Sequence, residues 1–417
     1  MEWSVRQNFL SATETGLVKM CFANTPMDAA VVKVRELGRY GNSGARLLLC
    51  FPGRGAPLVA KIHTDETKII DEYTAAKSAM PFFKDAYVPS SGPAQLNGSG
   101  ALLYWHQGAE TQSGVVTNSY SELSKMVFGE GDWRSFACCD KDDGYIIGIF
   151  RKMFHRFDAA RQARKRTNFV FRSEYKRYTR RVPAEAVLSA VLGSDRGRSE
   201  FSFLGAQIVN PLKFIDDEVF DRARKGWVGP VHGDLHATNV MVNKAAEEVH
   251  LIDFAWAKGD KEPRHILVDY VLMECSLRFL LFPHHVEPNE QMVVDDLLLL
   301  RDGAEQLVER TANSRLAAHY ARLGLMLREI RDQAAPYLSE QNERGFLEYL
   351  AAQFLILFGQ MTYGDYNRFM VARTLGMIAR KLKTDKFGEP SSKKSQAGRQ
   401  GTPEEERISI TEARPRA

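Results

Sequence analysis

The stretch Val231-His232-Gly233-Asp234-Leu235-His236-Ala237-Thr238-Asn239, followed by the apolar run Val249-His250-Leu251-Ile252 and then Asp253, constrains this chain more than any other part of it. Asp234 and Asn239 are separated by four residues, and Asp253 stands at the end of the apolar run. The intervening Met241-Val242-Asn243 and the run ending at Ile252 read as two short strands behind a polar turn. A lone His-Gly-Asp or Ile-Asp-Phe recurs by chance. Fixed internal spacing, two flanking strands and a second Asp downstream together do not.

The first hundred or so residues are β-rich. The runs 31–37, 45–51 and 57–63 are heavy in β-branched and aliphatic residues and are separated by glycine turns. Residues 65–83 read as one helix, with Ile69, Ile70, Tyr73 and Ala76 at helical spacing. Another strand, Ala101 to Trp105, precedes a polar connector. From about Ser119 the pattern is helical, apart from an island at Trp227 to Trp256. From Gly388 the chain is poor in apolar residues and is expected to be disordered.

At 417 residues the chain exceeds one small core, so two lobes and a tail are expected. Its 44% hydrophobic and 26% charged content is ordinary for a globular protein, and the net charge of +4 gives no argument for nucleic acid. Five cysteines without a CxxC suggest neither a zinc site nor a redox motif and read as reduced thiols. No basic head with an apolar core opens the chain, and the greasiest runs fall far short of a membrane span. The expectation is a soluble, cytoplasmic protein.

Phosphoryl transfer needs a carboxylate beside the attacking hydroxyl and oxygen ligands for magnesium. Asp234, Asn239 and Asp253 have the residue types and spacing for both tasks. The loop His232 to Asn239 and the later Ile252-Asp253-Phe254 resemble, without a mismatch, the HGDLHxxN and IDF motifs of the aminoglycoside phosphotransferase and choline kinase group. A protein kinase would instead show HRD and DFG, whereas Gly233 and Ala255 stand at the distinguishing positions. The segments Asn42-Ser43-Gly44-Ala45, Leu58 to Ile62, Asn210-Pro211-Leu212 and Leu251 to Ala255 further resemble a bacterial subgroup, the ternary-complex-associated domain proteins.

The resemblance implies an α+β, two-lobed protein-kinase-like fold. Residues 1–108 would form a nucleotide-binding lobe, 109–387 a helical lobe with the catalytic loop, and 388–417 the tail. It implies Asp234 as catalytic base, Asn239 and Asp253 as magnesium ligands, and a hinge around Trp105 to Gly108. His232 is expected to brace the loop, while His236 has no assigned role. Lys61 ends an apolar strand as an ATP-binding lysine does. Glu72 on the following helix is its expected partner, with Asp71 and Glu66 as alternatives. Gly41, Ser43 and Gly44 lie in a turn whose backbone N–H groups can approach phosphates, although a plain hairpin explains that turn equally well. Asp269 is the candidate to support the catalytic loop.

Between Arg151 and Arg181 stand twelve Lys and Arg residues, interleaved with Phe154, Phe169, Phe171, Tyr175 and Tyr178. We read this segment as a solvated helix face with its aromatics buried, in preference to a surface for nucleic acid or an acidic partner. The leading expectation is an ATP- and Mg2+-dependent phosphotransferase, with GTP as the alternative nucleotide, acting on an alcohol of a small molecule. A protein side chain as acceptor, or a nucleotide-binding pseudokinase scaffold, are the competing expectations.

Overall fold

The computed structural model describes residues 4–6, 9–25, 31–39, 44–52, 57–83, 91–105, 109–112, 115–118, 120–123, 127, 143–243, 248–280, 288–310, 317–364 and 366–387. Gly41, Ser43, residues 106–108 of the expected hinge and the 388–417 tail lie outside the described residues.

The N-terminal region is built on one sheet of strands β1 (Ser4–Arg6), β2 (Val31–Arg39), β3 (Arg46–Pro52), β4 (Leu58–His63), β5 (Ala94–Leu96) and β6 (Ser99–Trp105), in the order β1-β2-β3-β4-β6-β5. All neighbours are antiparallel except β1 and β2. Alternation along β4 buries Leu58, Ala60 and Ile62 in a core shared with Leu17, Val18, Cys21 and Phe22 of helix α1 (Ala12–Ala23). The same period of two sends Lys61 to the opposite face, toward helix α2 (Glu66–Ala79).

Helix α2 starts at Asp65, whose side chain accepts a hydrogen bond from the Thr67 N–H at 3.0 Å. Its buried stripe is Ile69, Glu72, Ala76 and Ala79, so a carboxylate occupies an apolar register. Ala76, Ala79 and Phe83 pack into a second and larger core formed by the rest of the chain. That core holds helices α3 (Asp143–His155), α4 (Asp158–Gln162), α5 (Phe171–Glu174), α6 (Lys176–Thr179), α7 (Arg181–Leu192), α8 (Pro211–Phe214), α9 (Leu267–Cys275), α10 (Pro288–Leu298), α11 (Gly303–Arg310), α12 (Ala317–Ala334), α13 (Glu343–Gln360) and α14 (Arg368–Thr384). The result is the two-lobed, protein-kinase-like α+β architecture that the sequence led us to expect.

Helix α13 is buried on every side. It lies beside Glu274, a fully buried carboxylate that accepts from Arg331 at 2.9 Å, Arg278 at 3.2 Å, Tyr349 at 2.9 Å and Gln353 at 3.0 Å. Burial alone would raise its pKa, but the guanidiniums hold it down to about 2, so it stays ionised.

Two expectations are corrected. The N-terminal lobe carries a second helix, α1, which begins with a capping box: the Ser11 hydroxyl accepts from the Glu14 N–H, and the Glu14 carboxylate accepts from the Ser11 N–H. Beyond Ser119 the chain is not helical throughout outside the island. After the hairpin β7 (Ala109–Gln112) and β8 (Val115–Asn118), strand β9 (Tyr120–Glu122) pairs with β14 (Val240–Asn243), which also pairs with β15 (Glu248–Leu251). Strand β10 (Lys165–Val170) pairs with β13 (Ala223–Gly229), which pairs in turn with β16 (Arg264–His265). Strands β11 (Glu200–Phe203) and β12 (Ala206–Val209) form a further hairpin. These strands are short and gain their hydrogen bonds from distant partners, so their local pattern is weak.

The basic segment is divided among α3 to α7 and β10 rather than forming one face. Phe154, Phe169, Phe171 and Tyr175 are buried, as expected, and Tyr178 only partly so, while several of its arginines are tied to separate surfaces. Arg151 reaches Glu329 at 3.1 Å, Arg161 reaches the Tyr270 hydroxyl at 2.9 Å, and Arg172 reaches Asp221 at 2.5 Å.

Gly359 allows α13 to touch the segment that leads to the site, because a Cβ there would lie 1.7 Å from the Tyr178 carbonyl oxygen. Replacing Gly359 by Ala should destabilise the protein by about 1–3 kcal/mol despite the helix propensity gained. A lower urea midpoint at unchanged m-value is the expected result, and an unshifted midpoint would refute the close packing.

Candidate active site

Lys61 comes from the β4 face opposite the first core and meets two carboxylates. Its Nζ lies 2.9 Å from Glu72 Oε2 and 3.2 Å from Asp253 Oδ1, joining strand, helix and a residue 192 positions away. Tyr104, on the neighbouring strand β6, donates its hydroxyl to Glu72 Oε1 at 2.5 Å. Burial works against the Lys61 charge, but Asp253 and Glu72 outweigh it and raise the lysine's pKa. Burial raises the pKa of Glu72, whereas Lys61 overcomes burial at Asp253 and lowers it.

Asp253 follows β15 with a φ of +60°, a left-handed conformation that is uncommon for a residue with a side chain. Such conformations persist where the surroundings over-determine them and concentrate at functional sites. The loop facing it is fixed by Asp269 of α9. This buried carboxylate accepts the His232 N–H at 2.8 Å with Oδ2 and the Gly233 N–H at 2.7 Å with Oδ1. Burial pushes its pKa up to about 7, opposed by those two N–H donors.

His232 is fully buried against Phe254, with ring centroids 4.5 Å apart. Its Nδ1 accepts the Asp234 N–H at 3.3 Å, so the proton belongs on Nε2, which donates to the Ile252 carbonyl at 2.9 Å. One neutral imidazole therefore spans from the residue bearing one carboxylate to the residue preceding the other. Gly233 has a φ of +80°, and a Cβ on it would sit 2.4 Å from the Trp256 carbonyl oxygen.

Asp234 and Asn239 project from this loop. The Asn239 amide Nδ2 donates to the Asp234 carbonyl at 2.9 Å and also contacts His236 Nε2 at 2.9 Å. His236 is held on its other side by Thr238 at 2.6 Å, and its Nε2 lies 3.8 Å from Asp234 Oδ2. Burial raises the pKa of Asp234, with His236, Arg177 and Arg180 opposing and Asp253 reinforcing.

The structure thus brings together Lys61, Glu72 and Asp253, and separately Asp234 with Asn239. Asp71 and Glu66, the alternatives to Glu72, do not reach Lys61. Gly44 has a φ of +71° just before β3, while its companions Gly41 and Ser43 are outside the described residues. Sequence reasoning missed Tyr104, Tyr178 and Trp256. Tyr178 donates its hydroxyl to the Gly233 carbonyl at 2.8 Å, and its ring packs on Trp256. Nothing local in the sequence marks these partners.

The donor set fits a hard divalent cation. The Asn239 amide nitrogen is spent on the loop, leaving its carbonyl oxygen, and Asp253 uses only Oδ1 on Lys61. Among the described residues no three His, Cys, Asp or Glu converge as a metal cluster. Magnesium suits such a sparse oxygen set because it retains waters and substrate phosphate oxygens.

Burial lowers the His232 pKa from 6.5 to about 4. Above pH 6.5 both folded and unfolded chains hold it neutral. Between 6.5 and 4 the unfolded chain takes up a proton that the folded chain refuses, so stability falls with falling pH, by about 3 kcal/mol in all. Asp269 titrates in the opposite sense over much of this window, so the comparison must be differential. The stability of wild type minus that of His232→Gln should fall between pH 7 and pH 4. A flat difference would refute a neutral buried imidazole.

No curated protein matches this sequence. Among solved structures, an aminoglycoside phosphotransferase in ternary complex with ADP and hygromycin B is similar over 83% of this chain and 93% of its own, at 11% identity and a TM-score of 0.37. A glucosamine kinase with glucosamine, ADP and inorganic phosphate is similar over 90% and 87%, at 13% identity and a TM-score of 0.37. An amicoumacin kinase bound to AMP-PNP and Ca2+ covers 85% and 89%, at 14% identity and a TM-score of 0.37. A family model matches residues 123–358, which include the loop, Asp253 and Asp269, and the chain belongs to that family, ternary complex associated domain 9.

Proposed function

We propose that this protein is a phosphotransferase that moves the γ-phosphoryl group of ATP to a hydroxyl of a small molecule. The observation that carries the reading is the meeting of Lys61 with Glu72 and Asp253, beside a loop that presents Asp234 and Asn239. An ion triplet drawn from three elements has no need of a neighbouring carboxylate on the loop if it serves stability alone.

In this reading the acceptor oxygen attacks the γ-phosphorus, an O–P bond forms, and the bond to the β-phosphate oxygen breaks, releasing ADP. Asp234 orients the hydroxyl and takes its proton on a carboxylate oxygen. Burial, which lifts its proton affinity, suits it to that task. Lys61, held by Glu72, faces the nucleotide phosphates. Asn239 and Asp253 would hold Mg2+, which when bound neutralises charge on the transferring phosphate. GTP remains the alternative donor, and the acceptor lies with residues of the helical lobe.

Asp234→Asn should reduce transfer by roughly 10²- to 10⁴-fold while leaving nucleotide affinity near wild type. Asp253→Ala should abolish the Mg2+-dependent rise in melting temperature that ATP gives the wild type, since a ligand bound only to the native state must stabilise it. No stabilisation of the wild type by ATP or GTP with Mg2+ would overturn the reading. A nucleotide shift with no transfer to any acceptor would favour a nucleotide-binding scaffold.

A further inference from the structure

Two arginines of the basic segment escape the structural roles that occupy its others. Arg177 and Arg180 form no ion pair with any described carboxylate, yet both lie against the loop. Tyr178, next to Arg177 in sequence, is hydrogen-bonded to the Gly233 carbonyl at 2.8 Å, one residue before Asp234. The Arg177 guanidinium lies 3.8 Å from the ring centroid of Trp256, and that of Arg180 lies 5.8 Å from it and 5.3 Å from the ring of Tyr363. Trp256 itself comes three residues after Asp253, and its carbonyl is packed on Gly233.

Arg180 adopts a φ of +41° between α6 and α7, a conformation rare for a side-chain-bearing residue. A glycine or asparagine would hold that turn at less cost, so the backbone gives no reason for an arginine there. The aromatic faces hold both guanidiniums by cation–π contact, neither guanidinium donates a hydrogen bond to another described residue, and Arg177 is exposed. Planar forks supported in this way match the oxygens of a phosphate bidentately, and two of them match its double charge.

We infer that Arg177 and Arg180, mounted on Trp256 and Tyr363, form an anion site that recognises a phosphate group carried by the acceptor, placing the acceptor's hydroxyl against Asp234. The assignment of acceptor to this site rests on the phosphotransferase reading, while the anion site can be tested by itself. The site selects against cationic acceptors, because an ammonium there would meet two guanidiniums.

The test uses the full chain saturated with Mg2+ and AMP-PNP, which occupies the nucleotide phosphate positions, and titrates inorganic phosphate by calorimetry. Wild type should bind phosphate saturably in the millimolar range or tighter, and more tightly than acetate. Arg177→Ala and Arg180→Ala should each weaken phosphate by about tenfold or more, with AMP-PNP affinity unchanged. Arg177→Lys and Arg180→Lys should retain part of the binding, which separates lost recognition from lost folding. Phosphate binding should also change the indole emission, and Trp256→Phe should remove that change.

Absence of saturable phosphate binding in wild type, equal affinity in the alanine variants, or acetate binding as tightly as phosphate would each overturn the anion site. Failure of AMP-PNP to bind would instead count against the phosphotransferase reading. The phosphate titration, repeated without nucleotide, would still decide the anion site.

Discussion

The ammonium of Lys61, shared between Glu72 and Asp253, is the contact on which the arrangement of the two lobes around the site depends. Removing Lys61 would leave the Glu72 and Asp253 carboxylates without their shared cation, and Glu72 is buried, where an unpaired charge is costly. The contact exists only if three local conditions hold together. The alternation of β4 must turn Lys61 away from the α1 core, the phase of α2 must bury Glu72 with Ile69 and Ala76, and Asp253 must take its left-handed turn. The triplet, one ammonium between two carboxylates, also leaves an excess of negative charge. That surplus suits a divalent cation.

The loop is organised by a different device. Its backbone N–H groups at His232 and Gly233 have no strand to pair with, and the Asp269 carboxylate supplies an acceptor for each. His232 then ties the Asp234 backbone to the Ile252 carbonyl, so the loop and the segment after β15 are spaced by one rigid ring. Gly233 is required because its neighbour across the turn is the Trp256 carbonyl. The loop residues that touch no reactant under the proposed function still set where Asp234 and Asp253 stand.

Much of this was legible in the chain itself. The strands of the N-terminal sheet follow from β-branched runs between glycine turns, and the helix after β4 from its apolar spacing. The spacing from Asp234 to Asn239 and on to Asp253 singled out the loop. The capping box before α1 was also present as Ser11-Ala12-Thr13-Glu14, a local signal that could have located that helix. Strands β10 and β13 could not be read with the same ease, since residues such as Lys165, Arg166 and Asn168 show strand character only once paired. The basic segment misleads for a related reason. Its charges are consecutive in sequence, yet the fold sends Arg151, Arg161 and Arg172 to three different partners.

The sequence by itself determined which residue types stand in the loop, which strand carries the lysine and which helix carries its partner. These depend on periodicity and on short-range spacing, and both are properties of neighbours along the chain. Only the tertiary structure decided that Glu72 rather than Asp71 or Glu66 meets Lys61, that Tyr104 and Tyr178 brace the site, and that Arg177 and Arg180 come to rest on Trp256. Those outcomes depend on contacts between residues from 11 positions apart, for Lys61 and Glu72, to 79, for Arg177 and Trp256. Such contacts are fixed by the packing of two cores and leave no pattern in the local order of residues.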